Sequence, residues 1–239
     1  MTMPGYRTRL QSVAIEGADD LVIRSLLDHQ QFHDPTGAAG RLGICSASWP
    51  LFGLLWPSGV QLAAQLARRP VCRDERILEI GCGLALASLV GHRRGARITA
   101  SDRHPLARKF LEKNAQMNSL SPLKYRHGQW GALHAPSVLD AGAEILSAQY
   151  DLIIGSDLLY ERDMAQDLAR FIDGHALADA EVWIVDPNRG YRAAFNRHLA
   201  AYGFQLQRDE SLLQPAAPEG EGAREYRGRL LVYRRAASS

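Results

Sequence analysis

The sequence predicts an α/β fold in which a seven-stranded, mostly parallel sheet carries helices on both faces. The first observation is that short apolar strands alternate with helical segments along most of the chain. The second is the glycine turn Gly81-Cys82-Gly83, which separates the first sheet strand from its helix. The third is a final pair of strands at 204–206 and 230–233 with no helix between them, which predicts an antiparallel strand inserted late in the sheet.

The composition is that of a globular chain and excludes several classes of protein. Of its 239 residues, 46% are hydrophobic and 23% charged, and the formal net charge of +2 is too small to indicate a nucleic-acid partner or a membrane surface. No stretch approaches the roughly 18 apolar residues of a membrane span, and residues 1–11 lack a signal-peptide core. The three cysteines form no C-x-x-C pair, so we expect a protein of the reducing cytoplasm.

Residues 1–45 are expected to form an N-terminal arm, followed by the main domain at 46–239. Apolar and polar residues alternate at 10–15, and a second apolar run follows a turn, so the arm predicts a β-hairpin. His29 and His33 have the i, i+4 spacing of two metal ligands on a helix. Because a proline follows them at once and no third ligand is evident, we expect no metal site.

Large apolar side chains fill the segment 49–57, WPLFGLLWP, just before the first helix of the main domain. Its prolines and glycine exclude a long helix, and Trp49 is expected to pack in the core. A helix is expected to follow Ser58, its candidate N-cap, and to end at Arg68-Arg69-Pro70. Trp56 stands beside the start of this helix, where its ring can cover a ligand at the sheet edge.

The segment 76–102 has the order strand, glycine turn, helix, strand, which is half of a nucleoside-binding unit. The strands are expected at 77–80 and 98–100, and the helix at 84–90. Glycines at the turn allow a ligand to lie close to the backbone. Asp102 follows the second strand, 21 residues after the first glycine, where a carboxylate accepts hydrogen bonds from ribose hydroxyls.

Two residues near the turn indicate which nucleoside cofactor to expect. A dinucleotide site has a third glycine at the position that Leu86 occupies here. Glu79 lies two residues before Gly81, and its carboxylate repels phosphates but suits an amino group or a sulfonium. The unit therefore predicts a site for S-adenosyl-L-methionine.

Two further stretches place side chains after sheet strands, where open α/β sheets bind their ligands. A strand at 123–127 leads to Trp130, whose indole can stack on adenine. A buried strand at 152–154 leads to Asp157 and Tyr160, which can accept and orient an incoming amine.

The remaining segments complete the alternation of strands and helices. Asn114 lies on the apolar side of its helix, so we expect a buried amide with a partner. Residues 214–223, QPAAPEGEGA, are expected to form a flexible loop, and DPNR at 186–189 follows a strand. Helices are expected at 105–118, 164–172 and 191–202, and a strand at 182–185.

Three motifs carry a resemblance to a known family. In chain order they are Leu55-Trp56-Pro57, Glu79-Ile80-Gly81-Cys82-Gly83 and Asp157-Leu158-Leu159-Tyr160. Over about residues 50–165 the chain resembles the seven-strand S-adenosylmethionine-dependent methyltransferases, and more narrowly the family-16 protein-lysine methyltransferases. The resemblance implies a Rossmann-like class I methyltransferase fold and transfer of a methyl group to a lysine amine of a protein substrate.

Carried over residue by residue, the resemblance also implies the members of the site. Asp157 and Tyr160 correspond to the catalytic pair on the substrate side. Leu84-Ala85-Leu86 departs from the small residues and glycine that commonly continue the first motif, and neither the N-terminal arm nor 186–189 has a family counterpart. The implied cofactor contacts are Trp56, Gly81, Gly83, Asp102, Trp130 and Ser156, to which the charge argument adds Glu79.

Three other functions stay open from the sequence. A small-molecule N- or O-methyltransferase would share the same cofactor site. An NAD(P)-dependent oxidoreductase is disfavoured by Glu79 and Leu86, and because Tyr160 is followed by Met164 where a Tyr-x-x-x-Lys pair needs lysine. A non-catalytic binding module is disfavoured because Asp102 and the substrate-side pair are retained.

Overall fold

The computed structural model describes residues 5–131, 144–159, 164–214 and 225–235. Within these residues a two-stranded hairpin precedes a seven-stranded sheet whose strands alternate with helices. In chain order the elements are β1 (Thr8–Val13), β2 (Leu21–Leu26), α1 (Ala38–Arg41), a 3-10 helix (Trp49–Gly53), α2 (Pro57–Arg68), β3 (Arg76–Ile80), α3 (Leu86–Arg93), β4 (Arg97–Asp102), α4 (Ala107–Met117), β5 (Lys124–His127), β6 (Tyr150–Ser156), α5 (Met164–His175), β7 (Ala176–Asp186), α6 (Arg192–Ala201), β8 (Phe204–Gln214) and β9 (Tyr226–Arg235).

The seven-stranded sheet has the order β5-β4-β3-β6-β7-β9-β8. Neighbouring strands from β5 to β7 pair in parallel. β9 is antiparallel to both β7 and β8, which confirms the late antiparallel strand predicted from the sequence. Because β3, β4, β5 and β6 run in one direction, their carboxyl ends meet at one edge of the sheet.

Two hydrophobic clusters cover the opposite faces of this sheet, as the predicted fold class requires. Successive side chains of β3 alternate between them, so Ile77 belongs to one cluster and Leu78 to the other. The first cluster contains residues of α2, α3 and α4, and the second contains residues of α5 and α6. The near-continuous apolar runs of the central strands follow from this burial on both sides.

The N-terminal hairpin packs on α4. Its predicted strands are confirmed, with β1 antiparallel to β2. Asn114 of α4 is fully buried, and its Oδ1 accepts a hydrogen bond from the Arg24 backbone N–H at 2.8 Å, as expected for a buried amide. Tyr6 and Leu21 of the arm share a hydrophobic cluster with the main domain. A domain boundary at residue 45 stays a prediction.

For two helices the difference between the predicted and the observed first residue has a clear local cause. α2 begins at Pro57 rather than after Ser58, because proline is well suited to the first helical position. The Ser58 hydroxyl is therefore no cap, and it forms a buried hydrogen bond with the Tyr226 hydroxyl at 3.0 Å. α3 begins at Leu86, since Ala85 has a left-handed φ of 59° that belongs to the preceding turn.

Three other expectations concern loops and ligands. His29 and His33 are not on a helix, and within the described ranges no group of three or more His, Cys, Asp or Glu side chains is placed to hold a metal ion. None of the helices described has the length and apolar character needed to cross a membrane. Of the loop expected at 214–223, Gln214 ends β8, and 215–223 lie outside the described residues.

Candidate active site

A cavity of about 300 Å³ lies at the carboxyl ends of β3, β4 and β6. This volume is at the lower end of the range of roughly 300–1,000 Å³ usual for small-molecule sites. Tyr160 lies outside the described residues. The other residues singled out in the sequence all line the cavity, namely Trp56, Glu79, Gly81, Gly83, Asp102, Trp130, Ser156 and Asp157.

The glycine turn lines the cavity, and side-chain and backbone atoms of other segments pack closely against it. Gly81 and Gly83 have φ values of 56° and 51°, which favour glycine. A Cβ on Gly83 would lie 2.7 Å from the Phe52 carbonyl oxygen, and one on Gly81 would lie 2.5 Å from the Leu158 side chain. The sequence predicts that these glycines leave space for a ligand. In the structure they also leave space for the Phe52 backbone and the Leu158 side chain, which line the cavity.

Asp102 is held at the cavity by two backbone amides. Its Oδ2 accepts the Gly83 N–H and its Oδ1 accepts the His104 N–H, both at 2.8 Å. Burial raises the pKa of Asp102, and these two hydrogen bonds oppose that shift. Since a carboxylate oxygen has more than one acceptor site, each oxygen can accept one further hydrogen bond from a ribose diol.

Glu79 is the second buried carboxylate of the cavity. Its Oε2 accepts the Ser88 backbone N–H at 2.7 Å, at the start of α3. Burial raises the pKa of Glu79 to about 7, and the hydrogen bonds from Ser88 lower it only in part. A cation in the cavity would favour the ionised form of this carboxyl group.

Aromatic side chains form two walls. Trp130 is buried against Phe171, with ring centroids 5.4 Å apart, and its indole Nε1 has no hydrogen-bond partner among the described residues. Trp56 donates its indole N–H to the Leu51 carbonyl at 2.9 Å. The His29 ring of the N-terminal arm packs on Trp56, so the arm contributes to this wall.

His104 and Phe52 complete the cavity and are not evident from the sequence. Their rings stack with centroids 3.7 Å apart. Burial lowers the pKa of His104 to about 3, so the imidazole is neutral at physiological pH. The position of His104, two residues after Asp102, is the one local signal that could have indicated it.

Asp157 forms an ion pair that the sequence analysis missed. It follows the end of β6 with a φ of 56°, and its backbone N–H donates to the Val185 carbonyl at 2.9 Å. The Arg189 Nη2 lies 3.0 Å from Asp157 Oδ1 and 3.2 Å from Oδ2. Arg189 also lines the cavity, and its only sequence signal is its place in the DPNR segment after a strand.

Asp186 adds a second carboxylate near Asp157. It is buried, its Oδ2 accepts the Asn188 N–H at 2.8 Å, and its Oδ1 has no partner among the described residues. Burial raises the pKa values of both Asp157 and Asp186, whereas Arg189 lowers them. Asp186 is not among the residues that line the cavity, so at this end the cavity presents the Asp157 carboxylate paired with Arg189.

Leu86 bears on the choice between cofactors. It begins α3 and lines the cavity with a largely buried side chain, where a dinucleotide-binding turn has glycine. The side chain takes space that such turns leave for a pyrophosphate. This geometry agrees with the preference for a sulfonium nucleoside.

Comparison with known proteins gives a consistent family signal. The profile of a family described as "Lysine methyltransferase" matches residues 51–193. The chain is 24% identical over 176 residues to the electron transfer flavoprotein beta subunit lysine methyltransferase of Mus musculus, covering 72% of this chain and 63% of that relative. It is 29% identical over 161 residues to the protein N-lysine methyltransferase METTL21A of Mus musculus, covering 64% and 71% of the two chains.

Solved structures agree on the fold. One is the magnesium protoporphyrin IX methyltransferase ChlM of Synechocystis PCC 6803 with bound SAM, with a TM-score of 0.52 and 17% sequence identity. The match covers 74% of this chain and 78% of that one. The chain thus has the Rossmann-like fold of a known methyltransferase, and it spans less than two thirds of the first curated relative above.

Proposed function

The chain belongs to the lysine methyltransferase family, and from this premise we propose that it transfers a methyl group from S-adenosyl-L-methionine to a lysine amine of a protein substrate. The observation that carries the proposal is the joint placement of Asp102 and Asp157 at one cavity. Asp102 offers ribose-binding oxygens at one end, and Asp157 offers an ammonium-binding carboxylate at the other.

The residues present fit the cofactor. Asp102 has acceptor capacity left after its two backbone contacts, and the buried Trp130 Nε1 lacks a partner that a nucleoside can supply. Burial raises the pKa of Glu79 to about 7, and a bound sulfonium or amino group would hold this carboxyl group in its negatively charged form. We propose Trp56, Glu79, Gly81, Gly83, Asp102, Trp130 and Ser156 as the residues that hold it.

The chain's own contribution to catalysis is mainly positioning. S-adenosyl-L-methionine, when bound, supplies a methyl group already activated by its sulfonium. A lysine amine must be neutral to attack, and its usual pKa is about 10.4, so it arrives as an ammonium ion. We propose that Asp157 holds this ammonium by charge, that the ammonium releases its proton to solvent water, and that Tyr160 orients the resulting neutral amine. Oriented reactants gain on the order of 7–11 kcal/mol.

A small-molecule N- or O-methyltransferase is the principal alternative. The similarity to protein lysine methyltransferases favours a protein acceptor, and the Asp157 carboxylate suits a cationic side chain. The three cysteines are free thiols, which supports the proposal of a cytoplasmic protein. We also propose residues 1–45 as an N-terminal arm that packs on the methyltransferase domain at 46–239, where its His29 ring lies against Trp56 of the cavity wall.

The proposal is tested with a tritiated methyl donor and a cell extract, separated on a gel. We expect discrete labelled protein bands that yield methyl-lysine on hydrolysis. Asp157→Asn should retain S-adenosylhomocysteine binding and lose at least about tenfold in labelling, because the ammonium anchor is lost. Asp151→Asn is the matched control, since Asp151 accepts the Arg76 N–H away from the cavity. Label confined to small molecules would contradict the protein acceptor.

A further inference from the structure

The Arg189 guanidinium occupies the acceptor end of the cavity. It contacts both carboxylate oxygens of Asp157, at 3.0 and 3.2 Å. Among the described residues, Asp157 is the only hydrogen-bonding partner of this guanidinium. The ion pair therefore occupies the carboxylate that the proposed function assigns to the incoming ammonium. Only Oδ2 accepts a hydrogen bond from Arg189, and the buried Oδ1 has no hydrogen-bond partner among the described residues.

The ion pair is placed so that one partner can leave. The Asp157 side chain is 11% exposed, whereas that of Arg189 is 39% exposed. Arg189 lies between β7 and α6, outside helix and strand. Its neighbours Asn188 and Gly190 have positive φ values of 65° and 92°, so a sharp turn directs Arg189 to the cavity. Asp157 stays fixed by its backbone at the end of β6, while the arginine side chain has freedom to swing outward.

We propose that Arg189 is an internal stand-in for the acceptor ammonium. The substrate lysine displaces the Arg189 guanidinium from Asp157. This inference rests on the proposed function, since it takes Asp157 as the ammonium site. Arg189 then sets acceptor specificity. A lysine enters only if its other contacts offset the loss of the resident ion pair, so weakly bound amines are excluded.

The charges around Asp157 determine how its pKa, and with it the pH dependence of acceptor binding, should change when Arg189 is removed. Asp186 raises the pKa of Asp157 and Arg189 lowers it, while burial raises it most. Two further ionisable groups near this cluster are the Arg192 guanidinium, which lowers the pKa of Asp186, and the Tyr226 hydroxyl, which bonds to Ser58. Burial raises the pKa of Tyr226 to about 12, so this hydroxyl is neutral at physiological pH. Without Arg189, Asp157 is free to bind an external cation, and acceptor binding should require a higher pH.

The test uses n-butylammonium, which has the charge and reach of the end of a lysine side chain, as a probe of the S-adenosylhomocysteine complex. Binding is followed by NMR titration of wild type and variants. Arg189→Gln should bind the probe about fivefold more tightly than wild type, the upper range for a partly exposed ion pair. Arg189→Lys should resemble wild type because the resident cation is kept. Asp157→Asn should abolish binding.

Arg208→Gln is the matched control, because Arg208 pairs with Glu210 at 3.0 Å on β8 and does not line the cavity. Its probe affinity should equal that of wild type. If S-adenosylhomocysteine binds throughout but Arg189→Gln gains no probe affinity, the stand-in role is wrong and the proposed function stands. If S-adenosylhomocysteine binds to none of the proteins, both are wrong.

Discussion

Asp102 combines a structural and a binding role in one carboxylate. It joins the glycine turn to the end of β4 through the amides of Gly83 and His104. The same oxygens face the cavity, where a ribose diol can add two charge-assisted hydrogen bonds. A substitution here is therefore expected to affect the cofactor first.

Asp102→Asn should weaken S-adenosylhomocysteine binding by roughly 10- to 100-fold, the effect of losing hydrogen bonds to a charged group worth about 1.5–3 kcal/mol. Isothermal calorimetry measures the affinity, and circular dichroism checks the fold. Asp151→Asn again serves as control, because it removes a carboxylate that accepts a backbone N–H outside the cavity. Equal affinities of Asp102→Asn and wild type would remove Asp102 from the site.

Glu79 should make stability depend on pH. Its folded pKa of about 7 exceeds the usual 4.5, so its stabilising effect is complete below pH 4.5 and is lost as pH rises through 7. Relative to Glu79→Gln, which mimics the protonated form, wild type should lose on the order of 3 kcal/mol of unfolding free energy between pH 5 and 8. Urea unfolding at several pH values measures this. A constant difference would show that Glu79 does not titrate in this range.

Single residues differ in how far the sequence reveals them. Asp102, Trp130 and Asp157 could be predicted because they follow strands, and parallel strands bring their carboxyl ends together. Arg189 and Phe52 could not, since their places at the cavity depend on how distant loops pack. No local pattern reports such packing.

Among the elements, the glycine turn couples the sheet to the segment before α2. Gly83 lies under the Phe52 backbone carbonyl, which cannot move as easily as a side chain. The strands and hairpin were predictable because their alternation is local. The start of α3 was not predictable, because Ala85 takes a left-handed conformation that glycine usually adopts.

Gly83→Ala and Gly95→Ala form a matched pair that separates backbone strain from steric conflict. Both positions have positive φ, but a Cβ on Gly95 meets nothing within 4 Å. Gly95→Ala should cost about 1 kcal/mol of unfolding free energy, and Gly83→Ala at least about 1 kcal/mol more. Chemical denaturation measures both, and only Gly83→Ala should weaken S-adenosylhomocysteine binding. Equal costs would mean that the turn shifts freely away from Phe52.

At the scale of the whole molecule, the parallel strands bring the cofactor end and the acceptor end of one cavity together. Glu79 and Asp102 are separated from Asp157 and Arg189 by long stretches of sequence, yet all four line the same space. The three carboxylates favour a cationic cofactor and a cationic acceptor, and Arg189 holds the place of that acceptor at Asp157. A pyrophosphate would meet two buried carboxylates and the Leu86 side chain instead.

Calorimetry of the purified protein with S-adenosylhomocysteine and, separately, with NADH shows which cofactor the cavity accepts. We expect saturable binding of one S-adenosylhomocysteine per chain and no heat of binding with NADH. Saturable binding of NADH, or no binding of S-adenosylhomocysteine, would contradict a cavity built for a methyl donor.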